Sequence, residues 1–574
     1  MPSEARSRTN PEPRWIARIY NTTGGEDFLG LRSVQQNMTA YLLPGIITIT
    51  PRARYYAFYS WLLVEHAKLG QQHVPLAGFI KRREQIFVLA NLAWSAASEE
   101  NPDEGGLLGS VKLRAHWRKH KEAATVPLGV DDYLKAQYGG YDIYSSPMRT
   151  LGLTRLADSG TLEVLPKGQE LAVSFADSIR DTRYYRARSQ FDVSTSIRRD
   201  ILEEYGAHCH LSGLAGSPDC LHTLETLFAF DAALLLPPHR SQSTPVGNMK
   251  GTLALILDMI DQAEGPFGDQ EFRQAAAYGL CADYTSYRPS NVLRPVLAQW
   301  QMFQLREYYV YALYCLWVYF LHWLRLEGPK TFEDFRTHLN GAIDLAIPAA
   351  AVGIDLPRRL LDDWDLTAWM DTLLEVSGVT GNQCENRCES FAATSNVPLN
   401  AHQLYSFLSR GSPQDPSQYL GTTWLLLSSL FLRLSGMRYS VADEAWNWAK
   451  SGGARRRSMD LFVDDMLARM EAAESLLDTC TWLFRDYIVA QHIISALEKW
   501  RQRKANTFHF NYDRGIFEWV RDGGTGFSGS RFRQAHDMLG DLGLFQALSD
   551  EPTRPQLTEL GRQTLERALE ACGG

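Results

Sequence analysis

Apolar residues recur at helical spacing along most of the chain between Arg183 and Trp500. Stretches rich in proline, glycine and serine, such as PPHRSQSTPVGN and RGSPQDPSQ, interrupt this pattern and indicate breaks between helices. The pattern predicts helices over 196–204, 221–232, 250–262, 269–281, 293–326, 421–434, 461–477 and 481–501. Regular TPR, HEAT or ankyrin spacing is not visible, so we expect a helical body rather than a solenoid.

The part of the chain before this body has shorter segments. Residues 27–50 predict a helix that Leu-Pro-Gly at 43–45 stops, followed by a strand over the β-branched run 46–50. A buried helix with an aromatic run at 55–63 and an amphipathic helix over 81–97 follow. We therefore expect a mainly helical N-terminal region.

The most apolar run, YYVYALYCLWVYFLHWL at 308–324, is the one candidate for a membrane span. It has 17 uncharged residues but is rich in Tyr and Trp. A lipid-spanning helix needs about 20 residues, most of them aliphatic. We predict that this run is a helix buried in the core, and that the protein has no membrane contact.

Two segments of the chain resemble each other. Residues 151–172 read LGLTRLADSGTLEVLPKGQELA, and residues 542–566 read LGLFQALSDEPTRPQLTELGRQTLE. Each has Leu-Gly-Leu, a polar turn, an apolar strand and a glycine near the start of a final helix. Glycine after a helix supplies the positive φ that ends it. The pattern predicts a helix, a two-stranded wing and a closing helix in both places.

The second segment, together with FEWV at 517–520 and SGSRFRQAHDMLGDLGL at 528–544, resembles the winged-helix family of helix-turn-helix domains. The first segment resembles it more weakly. In that family the helix that ends at Leu-Gly-Leu enters the DNA major groove. The resemblance implies DNA contacts from Arg531, Arg533 and Gln534. Asp537 and Asp541 balance the arginines, so a winged helix that binds protein is the alternative.

We therefore predict a mainly α, multi-domain fold, with winged-helix modules carrying short β-wings on a helical body. The expected segments are a helical region at 1–130, a winged-helix-like module at 131–182, the helical body at 183–500 and a C-terminal winged helix at 501–574.

Composition narrows the class of protein. The 574 residues allow three or four folding units, and 45% apolar with 22% charged residues indicates an ordinary globular chain. A net charge of −8 argues against a bulk polycation but leaves room for local basic patches. Eight cysteines suit a reducing compartment, and the polar opening MPSEARSRTNPEPRW has no secretory core. We expect a cytoplasmic location.

Basic residues beside aromatic ones are the other candidates for nucleic-acid contact. The densest basic stretch, VKLRAHWRKHKE, places Lys112, Arg114, Arg118 and Lys119 around a tryptophan. Arg52 and Arg54 precede a pair of tyrosines in PRARYY. Arginine can bind phosphate while rings stack on bases. A solvated helix face for the first stretch, and packing of the tyrosines for the second, are the alternatives.

Two clusters could hold a metal ion. His208, Cys209, His210, Cys220 and His222 are the densest set of zinc ligands, but their spacing matches no standard knuckle. Whether this cluster binds zinc stays open.

The acidic residues Asp362, Asp363, Asp365 and Asp371 could bind magnesium, although Asp365 has the setting of a helix N-cap. The run GTGFSG at 524–529 matches G-x-G-x-x-G, but it lies in a helical context without a βαβ unit. P-loop, HExxH and GxSxG motifs are absent. We expect no cofactor.

The most consistent function is a non-catalytic, DNA-associating subunit of a larger bacterial-type complex, with partner subunits. The alternative is an interaction scaffold without DNA contact, analogous to kleisin-like subunits. A metal-dependent enzyme at one of the two clusters is the third. A role in antiviral defence would suit a large accessory protein, but no residue indicates it.

Overall fold

A computed structural model gives the structure of the chain. It describes residues 27–69, 75–98, 105–158, 160–235, 245–379, 384–394, 399–503, 506–548 and 551–573. The opening residues, on which the absence of a secretory signal was judged, lie outside this part. Helices take up 64% of the structure and strands 6%, so the mainly α fold class is confirmed.

The first eight helices are α1 (Arg32–Leu42), α2 (Arg54–Leu69), α3 (Leu76–Ala97), α4 (Ser110–His120), α5 (Tyr141–Thr150), α6 (Pro166–Ile179), α7 (Arg183–Arg186) and α8 (Arg188–Phe191). The next eight are α9 (Arg199–Cys209), α10 (Pro218–Phe228), α11 (Gly247–Gln262), α12 (Asp269–Tyr278), α13 (Arg294–Glu327), α14 (Phe332–Ala342), α15 (Ala346–Ala351) and α16 (Leu366–Val376). The remaining helices are α17 (Cys384–Ala393), α18 (Ala401–Leu408), α19 (Pro416–Ser440), α20 (Asp443–Lys450), α21 (Met459–Glu471), α22 (Leu476–Trp482), α23 (Ala490–Arg503), α24 (Phe532–Asp541) and α25 (Glu559–Gly573).

The strands are β1 (Thr125–Pro127), β2 (Thr154–Leu156), β3 (Leu162–Val164), β4 (Ser196–Arg198), β5 (Lys330–Thr331), β6 (Phe510–Asp513), β7 (Ile516–Trp519), β8 (Phe545–Ala547) and β9 (Pro555–Leu557). All pairings between them are antiparallel: β1 with β4, β2 with β3, β8 with β9, and a sheet in the order β5-β7-β6. Short 3-10 turns lie at Leu211–Gly213, Asn291–Leu293, Leu361–Asp363 and Ala454–Arg456, and a π-helix spans Leu483–Val489.

Helix α13 is the central element. Its 34 residues give it a length of about 51 Å, and it packs against α1, α11, α12, α18, α19 and α20. The apolar run 308–324 lies within it and is almost entirely buried, as predicted. Among the described residues, no helix is long and apolar enough to cross a bilayer.

The two similar segments have the same local structure. Gly152 and Gly543 follow α5 and α24 with φ of +71° and +69°, and each precedes a two-stranded antiparallel wing. The carbonyl of the second leucine, Leu153 or Leu544, accepts a backbone N–H from the residue after the wing. The predicted helix–wing–helix order is confirmed at both places, while the family assignment stays a prediction.

Four local predictions are wrong. The helix predicted over 196–204 begins only at Arg199, because residues 196–198 form β4 and pair with β1. Residues 46–50 form turns rather than a strand, although the helix before them ends at Leu42 as expected. The stretch FEWV at 517–520 was expected to lie among helices. It contains most of β7, which pairs with Phe510–Asp513 across a tight turn. The predicted helix over 461–477 is two helices, α21 and α22.

The C-terminal module packs on the rest of the chain. Phe532 of α24 stacks on Phe272 of α12 with ring centroids 4.7 Å apart. Helix α25 packs against α11. Buried apolar side chains from Leu29 to Ala568 form one connected hydrophobic core. Both ends of the described chain therefore share one core with the helical body.

Candidate nucleic-acid interface

Helix α4 presents a basic face to solvent. Leu113 and Trp117, one turn apart, are buried and anchor the helix on α3. Lys112, Arg118 and Lys119 are exposed on the remaining surface. The anchoring pair explains why the predicted basic stretch is a surface helix with its tryptophan turned inward.

The cations of α4 have few acidic partners. Within the described residues, Arg118 and Lys119 form no ion pair, and Nζ of Lys112 donates to the carbonyl of Asp132 at 2.7 Å. Arg114 is half-buried and does have a partner. A helix face with unneutralised cations is a surface suited to the phosphate backbone of a nucleic acid.

Arg54, a predicted DNA contact, is fully buried. Its Nε and Nη2 donate to the Asp219 carboxylate at 3.0 Å, and its other contacts are the carbonyls of His208 and His210. This is a correction to the sequence-based expectation, because the whole guanidinium is used inside the protein.

The predicted DNA contact by Arg52 is wrong for the same reason, because its guanidinium is bound inside the protein. Its Nε donates to both carboxylate oxygens of Asp541, and its Nη1 donates to the carbonyl of Gly105 at 2.8 Å. Its side chain is 10% exposed. Both arginines of the PRARYY stretch thus join elements of the fold, and the tyrosines after them are buried as the alternative expected.

The helix implied to enter DNA, α24, has a mixed surface. Arg531 precedes the helix, is half-buried and donates from Nη1 to the buried carbonyl of Ile46 at 2.8 Å, so it is not part of an exposed reading face. Arg533 is exposed, but its Nε lies 3.9 Å from the Asp537 carboxylate. Gln534 is half-buried. The three predicted contacts therefore do not share one basic surface.

A cleft of about 450 Å³ runs beside α24. Arg533, Gln534 and Asp537 line one side, and Pro51 and Gly106 line the other. The buried Arg52–Asp541 ion pair also borders this cleft. The outer face of α24 therefore borders a cleft that it shares with another part of the same chain, while the Arg533 side chain itself is 85% exposed.

The cysteine and histidine cluster does not converge. Burial raises the pKa of the Cys209 thiol to about 12, so the sulfur is not a thiolate near neutral pH. Burial also lowers the pKa of His210 to about 4, and its ring stacks on Trp94 at 3.4 Å. The Cys220 thiol donates to the carbonyl of Leu542. No group of three or more potential ligands forms a metal site within the described ranges.

The acidic cluster is likewise divided. Asp365 caps α16 by accepting the N–H of Ala368 at 2.8 Å, as the alternative interpretation expected. Asp371 pairs with Arg387 at 2.7 Å, and Asp363 accepts the N–H of Leu360. The carboxylates of Asp363, Asp365 and Asp371 therefore already have local structural roles, and Asp362 is held through its backbone N–H, which donates to Oδ1 of Asn340.

Sequence reasoning missed a set of buried polar side chains on the long helices. Glu84 of α3 and Glu307 of α13 are 0% and 2% exposed. Burial raises the pKa of Glu84 to about 8 and that of Glu307 to about 7. For Glu307 the available signal was its place directly before the apolar run 308–324, because charged residues are rarely buried without a partner. Glu84 follows three basic residues at 81–83 and gave no such signal.

Comparison of the chain with protein-family models, with curated proteins and with solved structures found no significant match. A function for this chain is therefore proposed from its own side chains and their contacts.

Proposed function

We propose that the protein is a non-catalytic, nucleic-acid-associating subunit and that α4 is its main contact with the phosphate backbone. The single observation that carries this proposal is the exposed face of Lys112, Arg118 and Lys119. Arg118 and Lys119 form no ion pair with the described residues. On a chain of net charge −8, such a face concentrates positive potential at one place.

The geometry favours sequence-independent binding. Trp117 is only 6% exposed, so the helix offers charges but no tryptophan ring for stacking on a base. Contacts with phosphate fix position and supply affinity without reading sequence. The cations of α4 would therefore act on duplexes of any sequence, and α24 would contribute Arg533 at most.

The test is fluorescence-anisotropy titration of the full-length protein with duplex DNA across a salt series. We expect Arg118→Glu/Lys119→Glu to weaken binding and to reduce the slope of log K against log salt by about 1.8, since each phosphate contact contributes about 0.9. A matched control reverses two exposed arginines elsewhere, Arg485→Glu/Arg562→Glu, which lie on the π-helix and α25. Equal losses in both variants would contradict a role for α4.

The second candidate function is a protein-interaction scaffold. Val173 of α6 and Leu221 of α10 are 58% and 60% exposed. A groove of about 400 Å³ beside these helices is lined by Pro166, Val173 and Pro218 together with polar side chains that include Glu170, Asp177 and His222. Exposed apolar side chains beside a groove favour contact with another protein. Absence of DNA binding at low salt, with stable co-purification of a partner, would support this candidate over the first.

A further inference from the structure

Two histidines lie side by side on α4, next to its exposed cations. His116 and His120 are four residues apart, about one helical turn, in the stretch HWRKH. Their ring centroids are 4.5 Å apart, and the ring planes are inclined by 44°. Both side chains are half-buried, so the pair borders solvent. The contact proposed above for the phosphate backbone uses neither ring.

Each ring uses one nitrogen in a hydrogen bond to a backbone carbonyl. Nε2 of His116 lies 2.8 Å from the carbonyl oxygen of Pro127, and Nδ1 of His120 lies 2.9 Å from the carbonyl oxygen of His116. A carbonyl only accepts, so these two nitrogens carry the protons of the neutral rings. The other nitrogens, Nδ1 of His116 and Nε2 of His120, therefore each have a lone pair.

This hydrogen bonding is typical of histidines that bind metals. A metal-binding histidine almost always donates its other N–H to a carbonyl or a carboxylate, which fixes the tautomer and the orientation of the ring. The carbonyl that orients His116 belongs to β1, and β1 is held by its pairing with β4. The carbonyl that orients His120 belongs to α4 itself. Both rings are therefore positioned by regular structure.

The spacing and the ring separation fit one ion bound by both rings. Histidines at positions i and i+4 of a helix are the pair with which metalloprotease helices bind zinc. Two imidazoles at a right angle about an ion, with metal–nitrogen distances of about 2.1 Å, have ring centroids about 4.6 Å apart. A tetrahedral pair would be about 5.3 Å apart. The observed separation of 4.5 Å matches the right-angled arrangement, which is typical of Cu²⁺ and Ni²⁺ with nitrogen and oxygen ligands.

We propose that Nδ1 of His116 and Nε2 of His120 bind a divalent transition-metal ion of the Cu²⁺ or Ni²⁺ type. In the part of the chain that the structure describes, no group of three potential ligands forms here, so water or an oxygen of a ligand takes the remaining positions. The residue after the first histidine is Trp117, where the H-E-x-x-H motif has its general base. The site therefore binds an ion without the group that metalloproteases use for hydrolysis.

The experiment is isothermal titration of the untagged full-length protein with nickel chloride, without nucleic acid. We expect His116→Ala and His120→Ala each to weaken Ni²⁺ binding by about tenfold or more, since loss of even a hydrogen-bond partner of a ligand costs about 10–100-fold. The control His222→Ala removes a half-buried histidine of α10 that has no histidine three or four residues away, and it should bind normally. Excess Mg²⁺ should not compete, because it prefers oxygen ligands.

A spectroscopic measurement on the natural protein makes the test independent of the variants. Cu²⁺ at this pair should show nitrogen hyperfine coupling from two imidazoles in its electron paramagnetic resonance spectrum. Absence of Ni²⁺ binding, full affinity in both α4 variants, an equal loss in His222→Ala, or coupling from a single imidazole would each overturn the proposal. The titration with DNA decides the function of α4 separately, because it is measured without the metal.

Discussion

The Nε of Arg52 lies 2.9 and 3.0 Å from the two carboxylate oxygens of Asp541, a residue 489 positions later in the chain. The same carboxylate accepts the backbone N–H of Ala53 at 3.0 Å. Both side chains are nearly buried, at 10% and 6% exposure. This ion pair ties the start of α2 to the end of α24, and it accounts for the use of an arginine that the sequence suggested for DNA.

Removal of one partner of this pair should destabilise the protein strongly. Asp541→Ala leaves the Arg52 guanidinium buried without its counter-charge, and we expect a loss of about 3–5 kcal/mol in the free energy of unfolding. Urea denaturation followed by tryptophan fluorescence measures the loss. Arg533→Ala is the control, because that side chain is 85% exposed and its carboxylate partner is 3.9 Å away. A similar loss in both variants would contradict a structural role for the pair.

The buried ion pair of Arg54 with Asp219 should require arginine itself. Lysine has one nitrogen and cannot reproduce the fork that contacts two carboxylate oxygens and two carbonyls. We expect Arg54→Lys to lower stability by about 2–4 kcal/mol. In the salt series, we expect the slope for DNA binding to be unchanged in this variant. A reduced slope with unchanged stability would return Arg54 to the list of DNA contacts.

Glu84 should make the protein less stable as the pH rises. Its carboxyl accepts the backbone N–H of Gly140, but burial still raises its pKa from 4.5 to about 8. Between these values the unfolded chain has lost the proton and the folded protein keeps it, so stability falls with pH by about 1.4 kcal/mol per pH unit. The contribution is constant above pH 8.

The variant Glu84→Gln isolates this effect. Glutamine has no titrating proton, so the difference in unfolding free energy between variant and natural protein should grow in favour of the variant from pH 5 to pH 8. Urea midpoints at pH 5, 6.5 and 8 give that difference. A difference that does not change with pH would show that the Glu84 carboxyl titrates normally.

Gly561 should not tolerate a side chain. A Cβ at this position would lie 1.9 Å from the carbonyl oxygen of Leu544, and backbone cannot move aside cheaply. We expect Gly561→Ala to lower stability by about 1–3 kcal/mol. Gly341→Ala is the matched control, since a Cβ there meets nothing within 4 Å and alanine favours a helix. Equal melting temperatures for the two variants would refute the close approach.

Gly168 extends this prediction to the other copy. Its Cβ would lie 2.4 Å from the carbonyl oxygen of Leu153, the residue that corresponds to Leu544. We expect Gly168→Ala to lower the stability of the protein for the same reason. Thermal denaturation of the full-length protein measures this change. A tolerated alanine at one of the two positions alone would show that the modules differ in their packing.

The parts of the fold that sequence reasoning predicted depend on local patterns. The glycine stop at 543, the cap by Asp365 and the burial of α13 follow from neighbours within a few residues. The role of Arg54 depends on Asp219, 165 residues away, and a single sequence carries no sign of such a pair. The strand β7 was missed because its partner β6 had no distinct pattern of its own.

The candidate site was predicted in part for the same reason. The exposed face of α4 follows from a basic stretch with one-turn spacing of Leu113 and Trp117. Whether Arg531 is available to a ligand depends on the carbonyl of Ile46, which tertiary packing brings within hydrogen-bond distance of its guanidinium. Charge type can be read from a sequence, whereas availability of that charge to a ligand depends on distant acids and carbonyls.

During synthesis of the chain on the ribosome, Arg52 and Asp541 emerge at widely separated times, because 489 positions lie between them. The carbonyls of Leu29 and Ile46 accept hydrogen bonds from Gln491 and Arg531. Arg52 likewise forms its ion pair with a residue made much later, Asp541. At about 5–20 residues per second, the second partner of the Arg52 pair emerges about 25–100 s after the first. For that interval the nascent chain exposes unpaired polar groups and apolar surface, and the first 50 or so residues cannot complete their hydrogen bonds before Arg531 and Asp541 have been made.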